Sequence, residues 1–237
     1  VTRVAALGVR SLCFPENPAM LGLPSLHDGS WDRLWAACQD AGVTVMIHMG
    51  SARPPIATAP DAPVEVMLTV QPFATAACVG DLVWSGVLER FADLRFVMAE
   101  SGIGWIPSLL ERLDVAYSEF RSWTGRSMTR APSELVRRGI RFGFMADRVG
   151  LTSLHEEVTD IAVWEGDYPH SDGCWRNPAA TLGALVGALP AADVDAITHR
   201  TALGLLGSPI PSGPERASRT SEALRSGGRL PGPASDE

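Results

Sequence analysis

The sequence predicts a parallel α/β fold, and three observations carry that expectation. Short apolar runs alternate along the chain with segments of helical periodicity. The runs are apolar on both faces, as strands covered by helices are. Most of them stop at a polar or ionisable residue followed by loop chemistry, which is how such folds present a site at the carboxyl ends of their strands.

The apolar runs fall at residues 10–14, 43–48 (VTVMIH), 95–99 (RFVMA), 140–145 (IRFGFM) and 161–164 (IAVW). The first helix is expected after Ser30 as N-cap, with Trp31, Leu34, Trp35 and Cys38 on one face and Gly42 closing the last turn. Residues 81–91 repeat the pattern through Leu82, Trp84, Val87, Leu88 and Phe91. The longest helix is expected over 106–123, where Ile106, Leu109, Leu110, Leu113, Tyr117 and Phe120 share a face and Pro107 suits the first turn. Shorter helices are expected over 132–138, 151–157, 178–189 and 194–206. Residues 1–10 read as the approach to a strand, and 51–63, rich in Pro and Ala, as a long loop. The last segment, 208–237, is dense in Pro, Gly, Ser and charge and is expected to be a disordered tail after a domain over 1–207.

Composition narrows the function classes. The 237 residues carry 46% hydrophobic and 20% charged side chains, enough to bury one core. A net charge of −7 with no basic run argues against nucleic acid and anionic membrane surfaces as partners. No apolar stretch is expected to span a membrane, and the amino terminus lacks a signal-peptide pattern. Cys13, Cys38, Cys78 and Cys174 form no C-x-x-C pair and read as free thiols, in keeping with a cytoplasmic location.

Three ionisable residues end apolar runs or follow them closely: His48, Glu100 and Asp167. Imidazole nitrogen and carboxylate oxygen are the donors that zinc, manganese or iron takes. Each residue also has a plain structural reading. His48 could be a hydrogen-bonded core histidine and Asp167 a turn former ahead of Pro169. Glu100 could face the amino terminus of the helix that follows it. Most tryptophans sit at helical spacing and belong to the core, and His155 and His199 are expected on exposed helix faces.

The runs PSLHDGSWDRLWAACQDAGV, MIHMGS, MAESGIGWIP and WEGDYPHSDGCWRNP, with GIGWIPSLLER and DRVGL, resemble the amidohydrolase-related family of metal-dependent hydrolases. That family includes aminocarboxymuconate-semialdehyde decarboxylase and resorcylate-type decarboxylases. The similarity runs over 1–206 and implies a (β/α)8 TIM barrel, of which this chain supplies strands four to eight. By the same resemblance His48 falls on the strand-five metal ligand and Asp167 on the strand-eight aspartate. Glu100 stands where many members carry a strand-six histidine, and Thr201 where relatives tend to have asparagine.

The H-x-H pair of strand one has no counterpart here, so the chain reads as amino-terminally truncated, without strands one to three. Five strands cannot close a barrel of eight, and their open edges would invite homo-oligomerisation. The resemblance implies a divalent metal ion, zinc first, held by His48 and Asp167. Asp167 and Glu100 would be catalytic, with His170, Trp175 and His27 against a small-molecule substrate. The implied activity is hydrolysis through a metal-activated water. Metal-dependent decarboxylation is the alternative, and a truncated, inactive remnant a third reading.

Overall fold

A computed structural model of the chain describes residues 1–52, 59–171 and 173–207. Its centre is a five-stranded sheet: β1 Ser11–Phe14, β2 Thr44–His48, β3 Phe96–Ala99, β4 Ile140–Phe144 and β5 Ala162–Trp164. The strands lie in chain order, β1-β2-β3-β4-β5, and every adjacent pair is parallel. Consecutive parallel staves with helices in each crossover are the arrangement of a (β/α) barrel sector.

Alternation along each strand sorts the side chains onto two faces. Phe14, Val45, Ile47, Phe96, Met98, Ile140, Phe142 and Phe144 point one way, into a continuous core with the covering helices. Trp35 of the helix Asp32–Ala41 packs edge-on against both Phe14 and Phe96, at centroid distances of 4.9 and 5.6 Å. The helix Ile106–Thr124 adds Ile106, Leu110 and Leu113 to the same core. Cys13, Met46, His48, Arg141 and Gly143 occupy the other face and stand outside that core.

Several local expectations change. Residues 2–5 form a helical turn, Thr2–Ala5, in place of the approach to a strand. The cap ahead of the first helix is Asp28, whose carboxylate accepts from the Ser30 N–H at 2.7 Å, so Ser30 lies inside a 3-10 turn. The helix expected from residue 81 starts at Pro72 and runs to Trp84, preceded by Val64–Val70. Gly86 at φ 77° then breaks it before Val87–Arg90. The face it buries begins with Ala74, Thr75 and Cys78, in a stretch so evenly apolar that no helical period stands out.

The continuous stretch Val64–Trp84 is long and apolar enough to cross a membrane by composition, contrary to expectation. In the fold its Val79, Leu82 and Val83 are fully buried, as core-helix residues are. The segment expected at 151–157 is two short helices, Arg148–Ser153 and His155–Val158, separated at Leu154. His155 and His199 are half-buried, not exposed.

Pro178–Val186 is followed by a helical run through Ala191–Asp195, Ala196–Arg200 and Thr201–Leu205. Its end passes beneath the amino-terminal edge of the sheet, where the Thr44 hydroxyl donates to the Leu205 carbonyl at 2.8 Å. The tail expected at 208–237, and part of the loop expected at 51–63, lie outside the described residues.

Candidate active site at the carboxyl ends of the strands

His48 is the last residue of β2, and Glu100 directly follows β3. The structure joins them: His48 Nε2 lies 2.8 Å from Glu100 Oε1, and His48 Nδ1 lies 2.6 Å from the Met49 carbonyl oxygen. A hydrogen bond from Nδ1 to that carbonyl fixes the tautomer and turns Nε2 toward the carboxylate. Burial alone would lower the His48 pKa. The Met49 carbonyl and the charges of Glu100 and Asp167 outweigh it, and the net shift is upward.

Burial raises the Glu100 pKa. His48 opposes that shift, and Asp167 adds to it through charge and a hydrogen bond between the two carboxyl groups. Two carboxylates this close need a proton or a cation between them.

Asp167 stands three residues past β5, in the turn that holds the cis Tyr168–Pro169 bond. Its Oδ2 is buried, and His170 Nδ1 approaches to 2.9 Å at an angle that makes no hydrogen bond. Glu100 at φ 59° and Asp167 at φ 51° are the two non-glycine residues with positive φ among the described residues. An L side chain in that region costs about 1–2 kcal/mol. Such residues cluster where function over-determines the backbone.

The sequence reading passed over one member of this group. Glu165 immediately follows β5 and reaches across β4 to accept the Glu100 N–H at 2.5 Å. Burial pushes its pKa up to about 7. The Glu100 N–H opposes that shift, while the charges of Glu100 and Asp167 reinforce it. Room for this carboxylate exists because residue 143 is glycine: a Cβ there would fall on the Glu165 carboxyl atoms. A glycine inside an otherwise apolar strand was the available signal.

The remaining expected residues distribute as follows. The helix-terminus role considered for Glu100 belongs to Asp147, which accepts from Ile103 N–H and Gly104 N–H, both at 2.7 Å. Trp175 donates to the His170 carbonyl at 2.7 Å and packs edge-on against Tyr168, bracing the Asp167 loop. His170 is exposed beside Asp167. His27 is bonded to Asp81 at 3.0 Å and is not joined to the His48 group. Burial raises the Cys174 pKa, with Asp167 and Glu165 adding to the effect, so the thiol near this cluster stays protonated.

The donor set fits a divalent cation in chemistry and charge: one imidazole and three carboxyl groups, with a buried Asp167 oxygen free of hydrogen bonds. As placed, no three His, Cys, Asp or Glu side chains among the described residues converge on one point. His48 would have to exchange Glu100 for the metal.

Residues 2–208 match the family described as amidohydrolase. The chain belongs to the amidohydrolase family. Among solved structures, this amidohydrolase-family chain resembles an amidohydrolase from Mycobacterium avium subsp. paratuberculosis K-10. The two share 23% identity at a TM-score of 0.69, over 89% of this chain and 54% of that one. It also resembles 5-carboxyvanillate decarboxylase from Sphingomonas paucimobilis, with 19% identity, TM-score 0.69, and 88% and 62% of the two chains covered. A dihydroxybenzoic acid decarboxylase from Polaromonas sp. JS666, with bound manganese and the inhibitor 2-nitroresorcinol, matches at 15% identity and TM-score 0.54, over 76% and 55% of the two chains. The chain thus spans between half and two thirds of the length of these structures. Among curated proteins no sequence matches significantly.

Proposed function

We propose that this chain carries the strand-four-to-eight part of an amidohydrolase-family active site, which hydrolyses a small organic molecule with a divalent metal. The observation that carries the reading is the pair of left-handed carboxylates, Glu100 and Asp167, gathered with His48 and Glu165 at one rim of the sheet. His48 and Asp167 are the proposed metal ligands. Zinc is the first choice, and the manganese in one structural relative keeps that ion in view. A bound divalent cation would supply Lewis acidity and a water of pKa about 7.

The chain's own residues do the rest. Asp167 accepts the proton of the attacking water. With Nε2 given to the metal, the Met49 carbonyl would hold the His48 ring through Nδ1, Glu100 would be released to act beside Asp167, and the buried Glu165 would return a proton to the leaving group. Tyr168, His170 and Trp175 of the Asp167 loop are the proposed substrate wall, and His27 a proposed outer contact.

A second reading, decarboxylation of an aromatic or enoic acid, draws on the decarboxylases among the structural relatives. There the C–C bond to the carboxylate breaks, CO2 leaves, and the Glu165 proton replaces it on carbon.

The test is an assay of EDTA-treated protein, with and without added zinc or manganese. Substrates would be esters and lactones, scored by acid release, and hydroxybenzoates, scored by CO2 release. Metal-dependent turnover is expected to fall about 100-fold or more in Asp167→Asn and His48→Ala. Turnover unchanged in both variants ends the site assignment, and no turnover with either metal favours the inactive reading.

A further inference from the structure

The opposite rim of the sheet holds a second cluster of charge that the proposed chemistry does not use. Arg95 lies one residue before β3, and Arg141 is the second residue of β4, aligned with Val97 across the ladder. Arg95 is two residues before Val97, so alternation puts both arginines on the face away from the hydrophobic core. They open into one cavity of about 490 Å3, floored by Arg200 and Thr201 of the C-terminal helical run. That volume is within the range of small-molecule sites.

Both guanidinium groups are held in place from behind. Arg95 Nη1 donates to the carbonyls of Ala92 and Leu94, each at 3.1 Å. Arg141 Nη1 donates to the carbonyls of Arg137 and Ile140, at 2.7 and 2.8 Å. These contacts cap strand-entry carbonyls, the plain structural role of an arginine here, and they engage one terminal nitrogen of each fork. The other N–H groups of each planar fork make no hydrogen bond among the described residues, and both residues line the cavity.

No carboxylate among the described residues forms an ion pair with either group. Asp160, which also lines the cavity, is bonded to Arg137 at 2.8 Å. Asp93, the other acid in the lining, is exposed. Gln39 Oε1 accepts the Asp93 N–H at 3.1 Å, which leaves the Gln39 amide nitrogen as a further donor at the wall. Two half-buried like charges repel, and burial together with Arg95 shifts the Arg141 pKa downward against the pull of Asp160.

The geometry points to a binding site for a phosphate dianion between Arg95 and Arg141, at the amino-terminal rim of the sheet. Paired forks match tetrahedral oxyanions bidentately, and two cationic charges favour a dianion over a monocarboxylate. The site lies at the far end of the strands from His48 and Asp167, so it stands or falls independently of the catalytic reading.

The experiment titrates the full chain, in amine buffer at fixed ionic strength, with inorganic phosphate, with methyl phosphate and with acetate. Calorimetry and the arginine Nε–H resonances are the two readouts. Inorganic phosphate should bind saturably with a Kd of about 1 mM or tighter, and the Arg95 and Arg141 resonances should move together. Equal binding of methyl phosphate identifies a phosphoryl group carried on a metabolite, and its exclusion identifies free phosphate; both outcomes fit the proposal. Arg95→Gln and Arg141→Gln should each weaken binding about tenfold or more. Should either unfold, Arg200→Gln, on an exposed helical position, should still weaken it severalfold. His48→Ala should leave it unchanged. Arginine resonances unmoved at about 10 mM phosphate, or acetate binding as tightly as phosphate, overturns the site.

Discussion

The two faces of one sheet have been given opposite tasks. On the helix-covered face Phe96 and Phe142 are 0% exposed and Phe144 is 1% exposed, all within one continuous core. On the other face the same strands carry Cys13, Met46, Arg141 and Gly143, with His48 at the end of β2. Alternation separates them by a single residue, so the core and the proposed chemistry are written into adjacent letters of each strand. Substitutions on the first face should act on folding. Those on the second should act on charge and fit.

That contrast can be broken by measurement, and the largest effect belongs to the core. Phe142→Ala should lower unfolding free energy by about 3–5 kcal/mol in urea denaturation, since it empties a fully buried site. A loss near that of a surface change would mean the helix-covered face is not what holds the sheet.

The next effect is pH-dependent. Glu165 has a folded pKa of about 7 against an ordinary 4.5, so the folded state holds the proton more tightly than the unfolded chain. Its stabilising contribution is full below about pH 4.5 and fades as pH rises through 7. In metal-free protein, Glu165→Gln should therefore gain on the wild type by up to about 3 kcal/mol between pH 5 and 8. Parallel stability profiles for the two proteins would remove Glu165 from the buried cluster.

Gly143→Ala should cost about 1–3 kcal/mol, because the new methyl displaces the Glu165 carboxyl. Pairing it with Glu165→Ala should recover most of that loss, and strict additivity of the two changes would deny the contact. The smallest effect is expected at the margin. Asp81→Asn breaks the exposed His27 contact and should shift stability by no more than about 0.5 kcal/mol in thermal unfolding.

The strands were legible in the sequence to within a residue or two. Runs such as VTVMIH and RFVMA are short, nearly all apolar and bounded by polar or loop residues. The helix from Pro72 was not, because the stretch is apolar on nearly all sides and shows no clear helical period. His48, Glu100 and Asp167 stand out because each ends an apolar run or closely follows one. What they touch depends on partners 52 and 65 positions away, at His48–Glu100 and Glu100–Glu165, and no local pattern encodes that. Asp147 shows the same limit: its neighbours reveal a cap for Gly150, whereas its two bonds to Ile103 and Gly104 come from folding.

The empty place on β4 at residue 143 also constrains the order in which this protein can change. While position 165 keeps a full-length acid, any side chain at 143 meets it at once, so that route is closed. Shorten 165 first and 143 becomes free to vary, but Glu100 then loses the acceptor for its backbone N–H. Lineages that retain this rim should hold the glycine and the glutamate together, and those that abandon one should abandon both.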